Sequence, residues 1–359
     1  MDPAALRAQF PVFESVAYLN AGTCGPLPAA ALRAAADSGL RAAEQGRGKD
    51  YFDQMFDVRA RLREVYAGVV GGRPEEIALT TATSDGMAQV LRGLGLGRGD
   101  EVLTADDEHP GLLGPLAAAG AQLGIDVRTV PLAEIAGAVT SRTRLVACSH
   151  VSWFTGALAP VELAEVGRDV PVLLDGAQGA GAIPVAVREL GCAFYCAGGQ
   201  KWLCGPVGTG LLWVHPDWRE RLAVATPTYL NLSSPGAGLD ATPWPDARAL
   251  DAPALSNEAL EAAAAAHDVL AEAGWSAVQE RAVGLAETFA ARLRSMGRTV
   301  TPRGDSTLVS WEQEGAEAAA TRLAAAGIVV RNLPGSDRLR ASVGAWNDES
   351  DLERLLRAL

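Results

Sequence analysis

The most informative segment of this 359-residue chain is Gly198-Gly199-Gln200-Lys201-Trp202-Leu203-Cys204-Gly205. It contains one of only two lysines, the other being Lys49, in a sequence whose remaining basic residues are all arginine. Arginine matches lysine in charge, but only lysine can lose its proton readily and attack a carbonyl as a primary amine. The segment therefore predicts Schiff-base chemistry at Lys201. The alternative is an ordinary surface lysine in an arginine-rich sequence.

Around this segment, short apolar runs alternate with helical patterns or turns. The alternation predicts an α/β fold with a mainly parallel central sheet, helices on both faces, and a ligand at the carboxyl ends of the strands. Alanine-rich helices are expected over residues 29–43 and 258–274. The candidate strands are residues 77–79, 101–103, 126–130, 145–147, 172–174, 193–195 and 210–214.

The pattern changes in the last third of the chain. Residues 224–257 are rich in proline, serine and glycine and are expected to form a long excursion. Short strands at 307–310, 328–330 and 339–343, followed by an amphipathic helix over 348–359, predict a smaller α+β domain. We therefore expect a large ligand-binding domain over residues 15–255 and a small domain over 256–359, with residues 1–14 packing on the small one.

Composition argues against several classes of partner. The formal net charge is -12 and no basic run is interleaved with aromatics, so nucleic acid and anionic membranes are not expected partners. No uncharged apolar stretch approaches the roughly 18 residues of a membrane span, and the N-terminus lacks the pattern of a signal peptide. These features predict a cytoplasmic protein. The five cysteines lack the paired spacing of a zinc site, so no metal is expected.

Two predicted strands are followed by polar residues that a buried sheet does not require. Asp175 follows the run 172–174, where a carboxylate can pair with a cationic heterocycle nitrogen or cap the next helix. His109 lies in a loop after the run 101–103, where it can stack on a planar ring or have a structural role.

A third polar segment follows the run 77–79. It contains Thr83, Ser84 and Asp85 and opens a helix expected over residues 87–94. Hydroxyl groups and free amides at a helix N-terminus can bind a phosphate, although a capping motif without a ligand has the same sequence pattern.

Six motifs together resemble the class V aminotransferase superfamily, PLP-dependent enzymes of fold type I. Each motif is weak by itself, but six in the correct order are strong evidence. The motif around Lys201 is most similar to that of cysteine/cystine C–S lyases and isopenicillin N epimerase-like proteins. In chain order the motifs are residues 18–28, 108–111, 149–156, 175–178, 199–206 and 339–342.

The resemblance implies pyridoxal 5′-phosphate (PLP) as cofactor and a role for each matching residue. Lys201 would bind PLP as a Schiff base and move the α-proton of an amino acid. Asp175 would keep the pyridine nitrogen protonated, with Gln178 near the phenolic oxygen and His109 stacked on the ring. Arg340 would bind the substrate carboxylate. Further cofactor contacts are expected from Thr83, Ser84, Asp85 and Gln200, and substrate contacts from Asn20 and Trp153.

The sequence also departs from the family pattern. Gln200 occupies the position before the lysine where the family usually has histidine. Cysteine desulfurases carry a sulfur-accepting cysteine before the carboxylate-binding arginine, but no cysteine follows Cys204 here. Persulfide transfer by that route is therefore not expected. The threonine that often reaches the phosphate from a partner subunit has no clean counterpart in residues 251–254.

We expect a PLP-dependent enzyme, and the closest motifs favour a C–S lyase that eliminates the β-substituent of a cysteine-like amino acid. An aminotransferase and an amino-acid epimerase remain alternatives, because they share the first steps of the reaction. A non-enzymatic cofactor-binding regulator is a further alternative, although such regulators usually carry a fused DNA-binding domain. Because fold type I active sites generally lie at a subunit interface, the resemblance also implies a homodimer.

Overall fold

A computed structural model describes all residues, 1–359, and its centre is a seven-stranded mixed sheet. The strand order is β2-β8-β7-β6-β5-β3-β4, and only β8 runs against its neighbours. The twelve strands of the chain are β1 (Ala17–Tyr18), β2 (Ile77–Thr80), β3 (Glu101–Ala105), β4 (Asp126–Val130), β5 (Thr143–Ser149), β6 (Val172–Asp175), β7 (Phe194–Gly198), β8 (Gly210–Val214), β9 (Leu308–Glu312), β10 (Ile328–Val329), β11 (Arg331–Asn332) and β12 (Arg338–Ser342).

Helices cover both faces of this sheet. The strands β2, β3, β6, β7 and β8 are buried at every position, which explains why the sequence shows them as continuous apolar runs. The helices are α1 (Pro3–Ala8), α2 (Ala29–Gln45), α3 (Lys49–Val70), α4 (Thr83–Gly93), α5 (Pro110–Leu123), α6 (Leu163–Val166), α7 (Pro216–Arg219), α8 (Asn257–Ala273), α9 (Trp275–Ser295), α10 (Ala316–Ala325) and α11 (Glu349–Ala358).

The seven predicted strands of the central sheet are all present, whereas two helices differ from the expectation. The helix expected over 87–94 begins four residues earlier, at Thr83. The helix α3 is 22 residues long and was not predicted. Its buried face includes Arg59 and Arg63, so the apolar periodicity that marks a helix in sequence is interrupted.

The C-terminal part forms a three-stranded antiparallel sheet in the order β11-β12-β9. The N-terminal residues pack against this part of the molecule. Arg7 forms an ion pair with the buried Asp351 and donates to the carbonyl oxygen of Trp346, and the ring of Phe10 lies 5.2 Å from that of Trp346. No helix is both long and apolar enough to cross a membrane.

The excursion at 224–257 consists of short helical turns and connecting loops, and it is fastened to the edge strand β2. The Ala252 amide donates to the Leu79 carbonyl, and the Leu79 amide donates to the Asp251 carboxylate. The same carboxylate forms ion pairs with Arg59 and Arg63 of α3. These contacts extend the ladder of β2 and leave its edge covered.

A buried carboxylate ties three strands together at the end of the sheet where β3 begins. Glu101 is only 1% exposed and accepts hydrogen bonds from Arg128 Nε at 2.9 Å, Thr143 Oγ1 at 2.6 Å and Thr140 Oγ1 at 3.2 Å. The hydrogen bonds from Arg128 are the main reason why the pKa of Glu101 is lowered to about 2. Arg128 belongs to β4 and Thr143 to β5, so Glu101 joins β3 to both neighbours.

We expect Glu101→Gln to lower the free energy of unfolding at pH 7 by about 1–3 kcal/mol, because the amide loses charge-assisted hydrogen bonds. The pKa of Glu101 is lower in the folded than in the unfolded chain, so its contribution is complete above the ordinary value and declines as the pH falls towards 2. Urea unfolding of both proteins at pH 7 and pH 3.5 should show a smaller difference at the lower pH. The exposed Glu134→Gln serves as control, and equal effects of the two substitutions would contradict the assignment.

Candidate active site

The candidate site is a cavity of about 250 Å³ at the carboxyl ends of the parallel strands. This is the edge where ligands bind in open α/β sheets. Its wall combines strand ends, the start of α4, the loop after β1 and two arginines from the C-terminal sheet. The lining residues are Gly22, Thr23, Ala82, Thr83, Ser84, His109, Gly111, Trp153, Asp175, Ala177, Gln178, Gln200, Lys201, Arg331 and Arg340.

Lys201 lies in the cavity wall, and its amine has neither a hydrogen-bond partner nor an ion-pair partner. Burial is the main cause that lowers its pKa to about 8; Asp175 opposes the shift, and Arg340 and Arg331 add to it. A buried lysine with a lowered pKa has more of the neutral amine near neutral pH, and this is the nucleophilic form. The environment of Lys201 therefore suits attack on a carbonyl.

The backbone around Lys201 is tightly fixed. The Gly25 amide donates to the Gln200 carbonyl at 2.7 Å, and a Cβ added to Gly25 would lie 2.0 Å from the Lys201 carbonyl oxygen. Only glycine permits this approach. Three residues later Cys204 adopts a φ of 55°, the only positive φ of a non-glycine residue in the chain. The turn that carries Lys201 is thus held from both sides.

Asp175 lies at the end of β6 and is 6% exposed. Its Oδ1 accepts a hydrogen bond from the Ala177 amide at 2.9 Å, whereas no protein group donates to Oδ2. Burial raises its pKa, and the neighbouring Lys201 opposes that shift. A buried carboxylate with one free oxygen can accept a hydrogen bond from the N–H of a protonated heterocycle. The positive charge of that heterocycle would offset the cost of burying the carboxylate.

His109 occupies the N-cap of α5, where its Nδ1 accepts a hydrogen bond from the Gly111 amide at 2.9 Å. Its ring contacts Trp153 edge to face, with centroids 4.9 Å apart. Burial is the main cause that lowers its pKa to about 4, and Lys201, Arg331 and Arg340 act in the same direction. The imidazole is therefore neutral at neutral pH, which suits stacking on a cationic ring.

Both polar atoms of the Gln178 side-chain amide form hydrogen bonds within the protein. Its Nε2 donates to the Gly22 carbonyl at 2.8 Å, and its Oε1 accepts from Trp202 Nε1 at 3.0 Å. One N–H of Nε2 remains for a ligand, since the amide nitrogen carries two hydrogens. The orientation of Gln178 is fixed before any ligand binds.

The start of α4 is a candidate phosphate site. The N-cap is Ala82, which has no side-chain oxygen to satisfy the first amides of the helix. Thr83 and Ser84 place these amides and their hydroxyl groups on the cavity wall, beside Gln200. Unsatisfied donors at a helix N-terminus form a site for an anion.

Two arginines form the opposite wall. Arg340 is 1% exposed and donates to the Trp153 carbonyl at 2.7 Å, and its burial lowers its pKa to about 9. Thr23 Oγ1 lies 3.3 Å from Arg331 Nη1 and 3.5 Å from Arg340 Nη2, so the two guanidinium groups converge on one point. Neither forms an ion pair with a carboxylate of the chain. Such a pair can bind a carboxylate of a ligand.

The structure brings nine of the eleven predicted site residues to this cavity and leaves two outside. The carboxylate of Asp85 accepts hydrogen bonds from the Thr81 amide at 2.9 Å and hydroxyl at 3.0 Å, so it caps the helix on the side away from the cavity. Asp85 is therefore a poor candidate for phosphate binding, since its charge repels phosphate. Asn20 Oδ1 accepts from Thr23 Oγ1 at 2.8 Å, so Asn20 acts on the cavity through Thr23.

Other lining residues were not predicted as site residues. Arg331 has no sequence signal that separates it from the nearby Arg338, because both belong to short strands of the C-terminal sheet. Thr23 follows Asn20 in the first motif, and Gly22 contributes only backbone. A side chain at Gly22 would collide with Ser342 Oγ at 2.7 Å, so glycine is required there by close approach.

The sequence matches the class-V aminotransferase family over residues 18–355. Among curated proteins, the isopenicillin N epimerase of Streptomyces clavuligerus is 32% identical, over 58% of this chain and 56% of the epimerase. A probable cysteine desulfurase of Methanothermobacter thermautotrophicus is 30% identical, over 66% of this chain and 63% of that protein. The chain thus spans roughly three fifths of these two relatives. A probable cysteine desulfurase of Pseudomonas aeruginosa is 29% identical and is matched over 99% of this chain and 97% of its own length.

Solved structures of the cystine C–S lyase C-DES are similar over nearly the whole chain. One is a complex of C-DES with its reaction product, cysteine persulfide; its TM-score is 0.91 at 27% identity, covering 97% of this chain and 98% of that one. Another, with glycine covalently linked to the PLP cofactor of a C-DES mutant, also has a TM-score of 0.91 at 27% identity, with 98% of both chains covered.

The cavity fits PLP by the chemistry of its groups. An aldehyde requires an unpaired amine, which Lys201 offers, and a phosphate requires free donors, which the start of α4 offers. Asp175 Oδ2 is free for the pyridine nitrogen. No cluster of His, Cys, Asp or Glu side chains could hold a metal ion.

We expect borohydride reduction of the PLP-loaded protein to link PLP to Lys201 and not to Lys49, because Lys201 lines the cavity and its pKa is lowered to about 8. Lys49 is exposed and paired with Asp53. Mass spectrometry of peptides should therefore find the PLP adduct in the wild type and in Lys49→Ala, and lose it in Lys201→Ala. An adduct on Lys49 in the Lys201→Ala protein, whose fold circular dichroism would verify, would contradict the assignment.

Proposed function

The chain belongs to the class-V aminotransferase family, and we propose that it is a C–S lyase that eliminates a sulfur substituent from the β-carbon of a cysteine-like amino acid. It is a PLP-dependent enzyme of fold type I. The similarity to C-DES at 27% identity over nearly the whole chain supports cleavage of a C–S bond. The reaction type and the substrate are the proposed part.

The observation that carries this proposal is the lack of a strong acid in the cavity. Its only lining carboxylate is Asp175, which lies at a strand end, and its only lining histidine is His109, whose pKa is lowered to about 4. Neutral His109 is not an acid that can protonate a hydroxide-like leaving group at pH 7. A thiolate or persulfide leaves without such help, because its conjugate acid is much stronger than water. The cavity therefore suits sulfur elimination better than dehydration of serine.

Each residue has a task in this reaction. Bound PLP supplies an electron sink for the electron pair that remains on the substrate Cα when its proton leaves. The Lys201 amine, with its pKa of about 8, takes that proton, and the sulfur leaves as a thiolate or persulfide without being protonated. Arg340 and Arg331 hold the α-carboxylate, and Thr23 fixes the distance between them. Asp175 holds a proton on the ring nitrogen.

A cysteine desulfurase is a second candidate, because two of the relatives described above are named as probable cysteine desulfurases. These relatives do not support the expectation that persulfide transfer is excluded. That expectation rested on the lack of a cysteine after Cys204. No cysteine lines the cavity either. Cys24, a free cysteine, directly follows the lining residue Thr23 in the chain.

The reaction is tested by incubating the PLP-loaded enzyme with cystine, cysteine, S-alkyl cysteines, alanine and serine. We expect pyruvate and reduced or sulfane sulfur from the sulfur substrates, in equal amounts, and little turnover of serine. Alanine with sulfur transferred to the protein would indicate a desulfurase. A keto acid that depends on an added amino acceptor would indicate an aminotransferase, and loss of optical activity without pyruvate an epimerase.

We expect Arg340→Lys to lower kcat/KM for the amino-acid substrate about 10- to 100-fold, since lysine keeps the charge but loses the planar fork that matches a carboxylate. Arg331→Lys should have an effect of the same kind, because both groups converge on Thr23. Arg338→Lys is the control, since Arg338 lies over the Phe154 ring, outside the cavity lining. A larger loss of kcat/KM in the Arg338 variant than in the other two would contradict the assignment of the carboxylate site to Arg340 and Arg331.

We also propose a homodimer, supported by the large apolar side chains that α2 and α3 expose. Leu32 and Leu40 on α2 are 71% and 57% exposed, and Phe52 and Phe56 on α3 are 49% and 53% exposed. Phe52 and Phe56 are four residues apart and share one face of their helix. Exposed apolar faces of this kind are typical of subunit contacts.

The assembly is tested by light scattering. We expect a dimer for the wild type and a shift towards monomer for Phe56→Glu, because a charge would be buried without a partner in the contact. Val161→Glu is the matched control, since Val161 is 84% exposed and lies away from both helices in the chain. A monomeric wild type, or dissociation by the control alone, would contradict the proposed interface.

A further inference from the structure

The segment after β3 that contains Asp107, Glu108 and His109 is held against the residues at the end of β5. Trp153 Nε1 donates to the Asp107 carbonyl and Ser152 Oγ to the Asp107 carboxylate, both at 2.8 Å. The segment carries His109 in the cavity wall. The position of His109 therefore depends on the contacts of the two residues before it.

Glu108 makes the innermost of these contacts. It is 3% exposed, and its carboxyl group is hydrogen-bonded to Ser149 through the backbone amide, at 2.7 Å, and through the hydroxyl. No arginine, lysine or protonated histidine pairs with it. A buried carboxyl group without a cation is unusual in proteins, because burial of its charge is unfavourable.

The neighbours of Glu108 are negative or neutral. Asp107 precedes it in the same segment, Cys148 and Ser149 face it from β5, and Asp175 faces it from β6. Ser149 and Asp175 are direct partners in the register of β5 and β6. The ionised forms of Glu108 and Asp175 therefore repel each other at one end of the cavity.

We propose that Glu108 is a positioning residue that works in its protonated, neutral form: it locks the segment that carries His109 onto Ser149 and adds no negative charge beside Asp175. The neutral carboxyl accepts from the Ser149 amide through Oε1, and its own O–H donates to the Ser149 hydroxyl oxygen. The role of the lock in cofactor binding rests on the proposed placement of PLP between His109 and Asp175.

The direction of the pKa agrees with this geometry. Burial is the main cause that raises the pKa of Glu108 to about 8; the hydrogen bonds from Ser149 oppose the shift, and Asp175 and Asp107 add to it. An acid whose pKa is raised by folding binds its proton more tightly in the folded chain. Its stabilising effect is complete below the ordinary pKa of glutamate and is lost as the pH rises to about 8.

The first experiment uses the full chain without added PLP, so it does not depend on the reaction. Urea unfolding of the wild type and of Glu108→Gln is followed from pH 5 to pH 9. Glutamine matches the shape and hydrogen bonds of the neutral carboxyl but cannot ionise. We expect the unfolding constant of the wild type, relative to that of the variant, to rise up to about tenfold per pH unit until pH 8 and then to level off.

Exposed Glu162→Gln is the matched control and should follow the wild type at every pH. Parallel profiles of Glu108→Gln and the wild type would overturn the proposal, because Glu108 would then be ionised, or neutral, equally in both states. A ratio that falls with pH would overturn it as well, since it would mean that folding favours the ionised carboxylate.

The second experiment measures the affinity for PLP and the absorption spectrum of the bound cofactor at pH 7. Glu108→Leu removes both contacts with Ser149 and should weaken PLP binding about tenfold or more, whereas Glu108→Gln should restore most of the affinity and the wild-type spectrum. If glutamine lowers the affinity as much as leucine does, the negative charge is required and the neutral lock is wrong. If the pH profile agrees but neither variant affects PLP, the placement of PLP against this segment is wrong instead.

Discussion

The burial of Lys201 between one carboxylate and two guanidinium groups is the interaction on which the site depends. Desolvation and the two arginines favour the neutral amine, whereas Asp175 is the main group that favours the ammonium form. The balance leaves the pKa near 8, within reach of neutral pH, instead of the high value of an exposed lysine. The excess of positive groups also creates the affinity for anions, because a carboxylate and a phosphate can supply the charges that the chain lacks.

This balance requires parts of the chain that are far apart in sequence. Asp175 comes from β6 and Lys201 from the turn after β7, so the parallel sheet alone brings them to one edge. Arg331 and Arg340 come from the C-terminal sheet, and Gly22 and Thr23 fill the space between the two parts. Thr23 contacts both arginines, and the Gly22 carbonyl orients Gln178, so the loop after β1 aligns the C-terminal sheet with the cofactor end of the cavity.

The sequence predicted the strands better than the helices, and strand-end residues better than the rest of the site. Strands buried on both faces appear as apolar runs, and a polar residue directly after such a run, such as Asp175, is conspicuous. The helix α3 was not predicted because Arg59 and Arg63 interrupt the apolar pattern of its buried face, where they pair with Asp251 from the excursion. Asp85 was predicted together with Thr83 and Ser84, but its carboxylate accepts from the Thr81 amide and it lies outside the cavity lining.

The candidate phosphate site at the start of α4 is built from residues of one chain. The resemblance implies a threonine that reaches the phosphate from a partner subunit, but residues 251–254 hold no clean counterpart, and within them the Ala252 amide donates to the Leu79 carbonyl and the Ala252 side chain is buried. The free amides and hydroxyl groups of Thr83 and Ser84, with Gln200 beside them, must then bind the phosphate without that contribution.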